Sequence, residues 1–326
     1  MSIATRTARP NGATRTRVTA GAVAMDPALP RRDARRDGRR DGRRDAPRPQ
    51  PVVVIDLPRV AQRFRELRAA LPWMDVRFDA CALAHPALLA SLAADGAGFV
   101  APHESALPVL QRTGVDPARV LHADRWARGS RRRDAWEAGV RLFVIDDARD
   151  LDDFAGAPAG VAVLLRLHPL LVDEAESRAH ALGVPVAGLS LRLPGDASSA
   201  HLLDAVDAAM AARARIARST GRRLGILDLG PALDGLPTAH PHRLAALGRS
   251  IRSLVAPATS QITVLASAGR GVAADAITLV TGTAERYADP ATASALIDAG
   301  AEVVVLRARH RIPRPARARS TWTSAG

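Results

Sequence analysis

Apolar positions along this chain form short continuous runs that alternate with longer amphipathic stretches. Residues 52–56 (VVVID) are typical of a buried strand, and residues 57–71 have the three- and four-residue apolar spacing of a helix. Eight further strand-like runs follow, at residues 76–82, 98–101, 119–123, 141–146, 161–167, 186–193, 223–229 and 262–267. Helical patterns separate many of them, at residues 86–94, 104–112, 130–138, 202–218 and 242–255.

Eight strands that alternate with helices over roughly 200 residues are the pattern of a (β/α)8 barrel. A doubly wound sheet is the main competing α/β architecture, and we predict the TIM barrel. A β-like run at residues 276–284, a helical pattern at 290–299 and a strand-like run at 302–306 come after it. We assign residues 51–285 to the barrel, 286–306 to the remnant of a C-terminal segment, and 1–50 and 307–326 to disordered Arg-rich tails.

The basic charge lies in the two tails. The net charge is +13, but residues 1–50 carry 13 Arg and five Asp (+8), and residues 307–326 carry six Arg and no acid (+6). Residues 51–306 therefore have a net charge of −1, which does not favour a nucleic-acid-binding barrel. The repeat RRDARRDGRRDGRRD at residues 31–45 is either a solvated low-complexity extension, which we favour, or a tail that binds nucleic acid or an acidic partner.

Cysteine content and hydropathy indicate a soluble cytoplasmic protein. The single cysteine, Cys81, excludes an intramolecular disulfide framework and is typical of a reducing compartment. No apolar run reaches the roughly 18 residues of a membrane span. The N-terminal residues also lack the continuous apolar segment of a signal peptide.

Candidate chemistry is expected where the barrel strands end, because the reactive groups of such barrels lie at that rim. The side chains there are Cys81, His103, His122, Asp124, Asp146, Asp147, Arg166, Arg192, Asp228, Ser267 and Arg270. The set includes a thiol, imidazoles, carboxylates and guanidiniums, but its spacing defines no mechanism by itself.

Seven segments of the chain carry a resemblance to a known family. They are PVVVIDLPRV from Pro51, HPALLASLAADGAGF from His85, GVDPARVLHA from Gly114, AGVRLFVIDDARDL from Ala138, VLLRL from Val163, GLSLRL from Gly188 and LDLG from Leu227. Their order resembles the ornithine/diaminopimelate/arginine decarboxylases, which are fold-type III pyridoxal-phosphate enzymes related to alanine racemase. The resemblance implies a barrel, pyridoxal phosphate as the family cofactor, and a role in amino-acid or polyamine metabolism. It also implies a β-rich C-terminal domain, which we expect to be truncated or missing here.

The resemblance places altered residues at the family's catalytic positions. The Schiff-base lysine falls at Cys81, in RFDACAL, and no lysine occurs among the 326 residues. Because an imine requires a primary amine, we predict that pyridoxal phosphate is not bound covalently and that no catalytic residue is intact. The histidine that stacks on the cofactor ring falls at Arg192, and the acid that contacts the pyridine nitrogen falls at Ser267.

Some cofactor-binding positions keep part of the family's pattern, and we interpret them as vestigial: Arg166, Arg192, Asp228, Gly230, Gly269 and Arg270. The glycine-rich phosphate loop reads Gly230-Pro231-Ala232, where proline removes one N–H donor and Cβ atoms crowd the approach. In GFVAPHESAL, Val100, His103 and Ala106 replace the family's Asp, Ser and Glu.

We therefore predict an inactive family member that acts by binding a protein partner, in a homo- or hetero-oligomer, or a small anion. Arg166 and Arg270 would bind phosphate or carboxylate, or would be salt-bridged in an abandoned pocket; the sequence leaves both open. One alternative is an enzyme of different chemistry that uses Cys81, His103, Asp228 or the arginines. Another is nucleic-acid binding through the basic tails.

Three features at the predicted mouth and beside it have simpler interpretations than catalysis. Cys81 is more simply a small buried residue at a strand end than a nucleophile. His240 and His242, in HPH, favour a loop over a metal site, because the sequence offers no third ligand nearby. Asp146 and Asp147 favour a helix N-cap and its neighbour.

Overall fold

The computed structural model describes residues 13–16, 52–125, 127–193, 197–234, 241–258, 262–281, 284–287 and 289–307. The strands are β1 (Ala13–Thr16), β2 (Val52–Asp56), β3 (Asp75–Asp79), β4 (Gly98–Ala101), β5 (Val120–His122), β6 (Leu142–Ile145), β7 (Ala162–Arg166), β8 (Val186–Ser190), β9 (Ile226–Asp228), β10 (Thr263–Ala268), β11 (Ile277–Thr281), β12 (Ala284–Tyr287) and β13 (Glu302–Leu306). The α-helices are α1 (Leu57–Ala70), α2 (Pro86–Ala94), α3 (Ala106–Arg112), α4 (Ser130–Glu137), α5 (Pro169–Leu182), α6 (Ser199–Thr220), α7 (Pro241–Val255), α8 (Arg270–Ala273) and α9 (Pro290–Asp298).

Strands β3 to β10 form a closed parallel barrel, which confirms the predicted (β/α)8 fold. Closure occurs where β10 pairs with β3 on one side and β9 on the other. Alternate side chains point inward and outward along each strand. The inward cluster is Val100, Leu121, Val144, Leu164 and Leu265, while residues such as Phe99 and Phe143 belong to the larger core between barrel and helices.

Helix α1 begins at a capping aspartate and packs one apolar face against the core. Asp56 precedes it and accepts a hydrogen bond from the Arg59 N–H at 3.1 Å, which satisfies one of the amide donors left free at a helix start. Val60, Phe64 and Leu67 lie on one face and are buried. The helix therefore forms where the predicted pattern placed it, and its apolar face joins the main core.

All eight strands predicted after the first are confirmed, with small changes at their ends. The connection between β6 and β7 differs from the other crossovers, because residues Ala148–Phe154 form a 3₁₀ helix there. No described helix is long and apolar enough to cross a membrane.

A second sheet joins strands from both sides of the barrel sequence. Its order is β1-β13-β2-β11-β12, in which β2 pairs parallel with β13 and antiparallel with β11. The range 51–285 that the sequence assigned to the barrel therefore includes β2 and β11, which pair outside the barrel. The apolar run of β2 resembles that of a barrel strand, so the local pattern could not indicate which sheet it joins.

Candidate functional site at the barrel mouth

A hydrogen-bonded network crosses the mouth from β6 to β9. Arg166, the last residue of β7, donates from Nη1 to Ser190 Oγ at 2.8 Å and to the Leu191 carbonyl at 2.9 Å. Its Nε donates to Asp146 Oδ1 at 3.2 Å, and the Ser190 hydroxyl donates to Asp228 Oδ2 at 2.6 Å. Arg166 is thus engaged by its own neighbours, which is the salt-bridged alternative that the sequence had left open.

Asp228 is the most deeply placed acid of this network. Its side chain is buried, and its Oδ1 accepts the Gly230 N–H at 3.0 Å. Burial raises the pKa of Asp228, while the hydrogen bonds from Ser190 and Gly230 and the charge of Arg166 act in the opposite direction. The carboxylate therefore organises the turn after β9 and the Ser190 hydroxyl.

Cys81 follows β3, and its surroundings disfavour a thiolate. Its backbone N–H donates to Asp79 Oδ1 at 2.9 Å. Burial first, and then the Asp79 carboxylate, raise the pKa of the Cys81 thiol to about 11, against hydrogen bonds from Ser105 and the His103 backbone. Since the thiolate is the nucleophilic form, this thiol is unreactive near neutral pH. The geometry gives no support to a mechanism with Cys81 as nucleophile.

The pKa of Asp79 is also raised. Burial raises its pKa from 3.8 to about 6; the Cys81 N–H opposes the shift, and the nearby Asp234 carboxylate adds to it. Asp79 is half-buried and faces Arg270, whose charge lowers the pKa again in part. The mouth therefore holds an acid that titrates close to neutral pH.

Two predicted mouth residues lie in other surroundings. The His122 ring packs on Phe143 with 5.3 Å between ring centroids, in the layer between barrel and helices. Burial lowers the pKa of His122 to about 4, so the ring is neutral at physiological pH. Asp147 is the N-cap of the 3₁₀ helix and accepts the Arg149 N–H at 2.9 Å. The sequence had favoured an N-cap and its neighbour at the pair Asp146-Asp147.

The structure also describes the surroundings of His103 and Arg192, and it describes one of the two histidines of the HPH segment. His103 is exposed, with Nδ1 3.1 Å from Ser105 Oγ. Arg192 Nη1 lies 3.5 Å from Asp146 Oδ1 with half of its side chain exposed. His240 lies outside the described residues, and His242 is in α7. Within the described ranges, no three His, Cys, Asp or Glu side chains are grouped as metal ligands would be.

Asp234 is a mouth residue that the sequence reasoning missed. Its Oδ1 accepts the N–H groups of Gly269 at 2.7 Å and Gly271 at 3.1 Å, and its Oδ2 lies 4.0 Å from Arg270 Nε. The only signal in the sequence was an acid placed shortly after the Gly230-Pro231 turn. Nothing local indicated that its carboxylate would reach a loop 35 residues away.

Gly269 has a packing reason to be glycine. A Cβ there would lie 2.5 Å from the Ala82 Cβ and 2.9 Å from the Asp79 Cβ. Real Cβ atoms do not approach so closely, so the turn after β3 and the turn after β10 pack only if this residue is glycine. Retention of Gly269 therefore does not by itself indicate a bound phosphate.

Taken together, the closed barrel and its polar C-terminal rim define a (β/α)8 protein of the kind that holds its chemistry at the strand ends. Residues 57–181 match a family model described as "Pyridoxal-dependent decarboxylase, pyridoxal binding domain". This match runs from α1 into α5 and agrees with the resemblance to the ornithine/diaminopimelate/arginine decarboxylases seen in the sequence.

Individual proteins of this kind are also similar to the chain. The chain is 31% identical over 121 residues to the lysine/ornithine decarboxylase of Selenomonas ruminantium, covering 36% of this chain and 30% of that protein. It is 25% identical over 252 residues to the chloroplastic ornithine decarboxylase of Nicotiana glauca, covering 71% and 58%. The structure of the Vibrio vulnificus lysine/ornithine decarboxylase complexed with putrescine matches with a TM-score of 0.65 at 23% identity, covering 70% of this chain and 66% of that one. The chain spans less than two thirds of each of these relatives.

The residues at the mouth do not fit covalent pyridoxal phosphate. No ε-amino group is available, because the sequence contains no lysine and Cys81 stands at the end of β3. The Gly269 and Gly271 amides already donate to the Asp234 carboxylate. Ser267, at the position of the family's acid, is buried and ends in a hydroxyl that carries no charge.

Proposed function

We propose that this chain is a decarboxylase-family barrel without aldimine chemistry and that it acts by binding a small carboxylate at the rim of its mouth. The observation that carries the first part is chemical: an imine requires a primary amine, and none of the 326 side chains is a lysine. The Cys81 thiol that stands in its place has a pKa raised to about 11 and forms no imine.

The binding part of the proposal is supported by two rim arginines. Arg192 and Arg270 each expose more than half of their side chains, 52% and 59%. Their distances to acids, 3.5 Å to Asp146 and 4.0 Å to Asp234, are longer than the 2.7–2.9 Å of a charge-assisted hydrogen bond. Guanidiniums held this loosely can turn toward a carboxylate from solution, whereas Arg166 is held by three hydrogen bonds of 2.8, 2.9 and 3.2 Å.

A cofactor experiment tests the loss of aldimine chemistry. We expect the protein, made without a lysine-containing tag, to show no imine absorption with pyridoxal phosphate and no stable adduct after borohydride reduction. Peptide mapping supplies the control, because an adduct confined to the N-terminal amine would be outside the barrel. A barrel adduct, or release of carbon dioxide from ornithine or lysine above background, would contradict the proposal; the Selenomonas ruminantium enzyme is the positive control.

A titration tests the binding part. Succinate should bind the wild-type protein in calorimetry and bind more weakly to Arg192→Ala and Arg270→Ala. Arg149→Ala is the matched control, because Arg149 is an exposed arginine that pairs with Asp147. Equal affinity for all four proteins, or no heat of binding, would refute the proposed rim site.

A further inference from the structure

We propose that Asp234 is an internal ligand that takes the place of a bound anion at the turn after β10 and thereby excludes phosphate from the barrel mouth. One carboxylate oxygen accepts two backbone N–H groups, from Gly269 at 2.7 Å and Gly271 at 3.1 Å. The other oxygen faces the Arg270 guanidinium. Two amides and a guanidinium are the donors that would bind an external oxyanion, and here they all face a group of the protein itself.

The position of Asp234 is set by the turn that follows β9. Gly230 adopts a left-handed φ of 62°, and its carbonyl accepts the Ser267 N–H at 2.9 Å, which ties this turn to the end of β10. The Asp234 N–H then donates to the Pro231 carbonyl at 3.1 Å. This folding brings the carboxylate over the Gly269 turn, where its side chain is only 5% exposed.

An external phosphate would compete poorly with this arrangement. The internal carboxylate is tethered, so its effective concentration at the amides is high. A phosphate seated on the Gly269 and Gly271 amides would also lie beside the Asp234 carboxylate and near Asp79, and like charges repel strongly in a partly buried site. The exposed side of Arg270 is turned toward solvent, so a carboxylate can reach it at the rim without entering this site. Asp234 would therefore exclude the phosphate group of a cofactor, and it would do so whether or not a lysine were present to form an imine.

Removal of the carboxylate should open the site. We expect inorganic phosphate, at constant ionic strength, to leave the Gly269 and Gly271 amide resonances of the isotope-labelled wild-type protein unchanged. In Asp234→Ala it should shift them saturably, with affinity roughly tenfold to a hundredfold above wild type, since a charge-assisted hydrogen bond contributes about 1.5–3 kcal/mol. Adding Arg270→Gln to Asp234→Ala should weaken phosphate binding again.

Two further variants keep the test decisive. Asp147→Ala is the matched control, because Asp147 also caps a backbone N–H and pairs with an arginine, and this variant should gain no phosphate affinity. Asp234→Asn keeps an acceptor oxygen without the charge, so it should fold even where the alanine variant does not and should bind phosphate more tightly than wild type. Wild-type amides that already bind phosphate, or variants at Asp234 with no gain, would overturn the proposal, and neither result depends on the borohydride experiment.

Discussion

Replacing Asp79 by asparagine should stabilise the protein at alkaline pH and much less at acidic pH. The pKa of Asp79 is 3.8 in its ordinary state and about 6 in the folded protein, mainly because of burial. A carboxyl whose pKa is raised on folding contributes stability that is present below pH 3.8 and is lost as the pH rises through 6. Two pKa units correspond to a penalty of up to about 3 kcal/mol at pH 8, at 1.36 kcal/mol per unit. Asparagine never carries the charge, and its oxygen can still accept the Cys81 N–H.

Urea unfolding of both proteins at pH 5 and pH 8 measures this difference. We expect Asp79→Asn to exceed wild type by up to about 3 kcal/mol at pH 8 and by about half as much at pH 5, where wild-type Asp79 is mostly protonated. His122 changes stability oppositely, because its lowered pKa makes stability fall as the pH drops from 6.5 toward 4, but it is present in both proteins and cancels in the comparison. The control is Asp147→Asn: the pKa of Asp147 is lowered to about 2, so its difference from wild type should be constant between pH 5 and 8. A variant that is less stable at pH 8, or a gap that does not change with pH, would refute the reasoning.

Three further variants and measurements test the frame around the site. Arg132→Met should destabilise the fold by about 3 kcal/mol in urea unfolding, because it removes the buried guanidinium that lies 2.8 Å from Asp150 and 2.6 Å from Asp153 and leaves Arg128, 2.7 Å from Asp150, as the remaining partner of that buried acid. Gly188→Ala should cost more than about 3 kcal/mol in the same assay, since its Cβ would lie 2.0 Å from the Ile226 carbonyl oxygen where β8 meets β9. Alkylation of Cys81 at pH 8 should be about a hundredfold slower in the folded protein than in urea, because its thiol pKa rises from 9.0 to about 11.

Each of these predictions has a specific contrary outcome. The pair Arg178–Asp152 is exposed, so Arg178→Ala should change stability by no more than about 1 kcal/mol, and an equal loss in Arg132→Met would contradict the burial argument. Gly114 is the control for Gly188: its φ of 73° would strain an alanine, but no atom lies within 4 Å of a Cβ built there. Gly114→Ala should therefore lower the free energy of unfolding by only about 1 kcal/mol, and a similar loss in Gly188→Ala would contradict the predicted collision with Ile226. Equal alkylation rates in folded and unfolded protein would contradict the environment described for Cys81.

The prediction that this chain forms no imine rests on residue types alone, whereas the contacts at the barrel mouth could not be predicted in that way. A thiol at Cys81 cannot form an imine, and periodicity placed this residue near the end of a strand; in the structure it lies two residues after β3. The structure adds that its thiol is partly buried and lies near the Asp79 carboxylate. The position of His122 was predicted less well, because inward and outward positions alternate along a strand and three residues are too few for the pattern to distinguish them.

The sequence alone was enough to predict the barrel, the rim at which its polar groups lie, and the absence of an ε-amino group. Periodicity depends only on residues close together in the chain, and side-chain chemistry depends only on residue type. Three outcomes depended instead on long-range contacts: Val52–Asp56 pairs in a second sheet outside the barrel, Asp146 and Ser190 hold Arg166, and the Asp234 carboxylate accepts the Gly269 N–H. Those outcomes join segments that are far apart in the chain. Strand pairing and barrel closure bring such segments together, and no local pattern records which of them will meet.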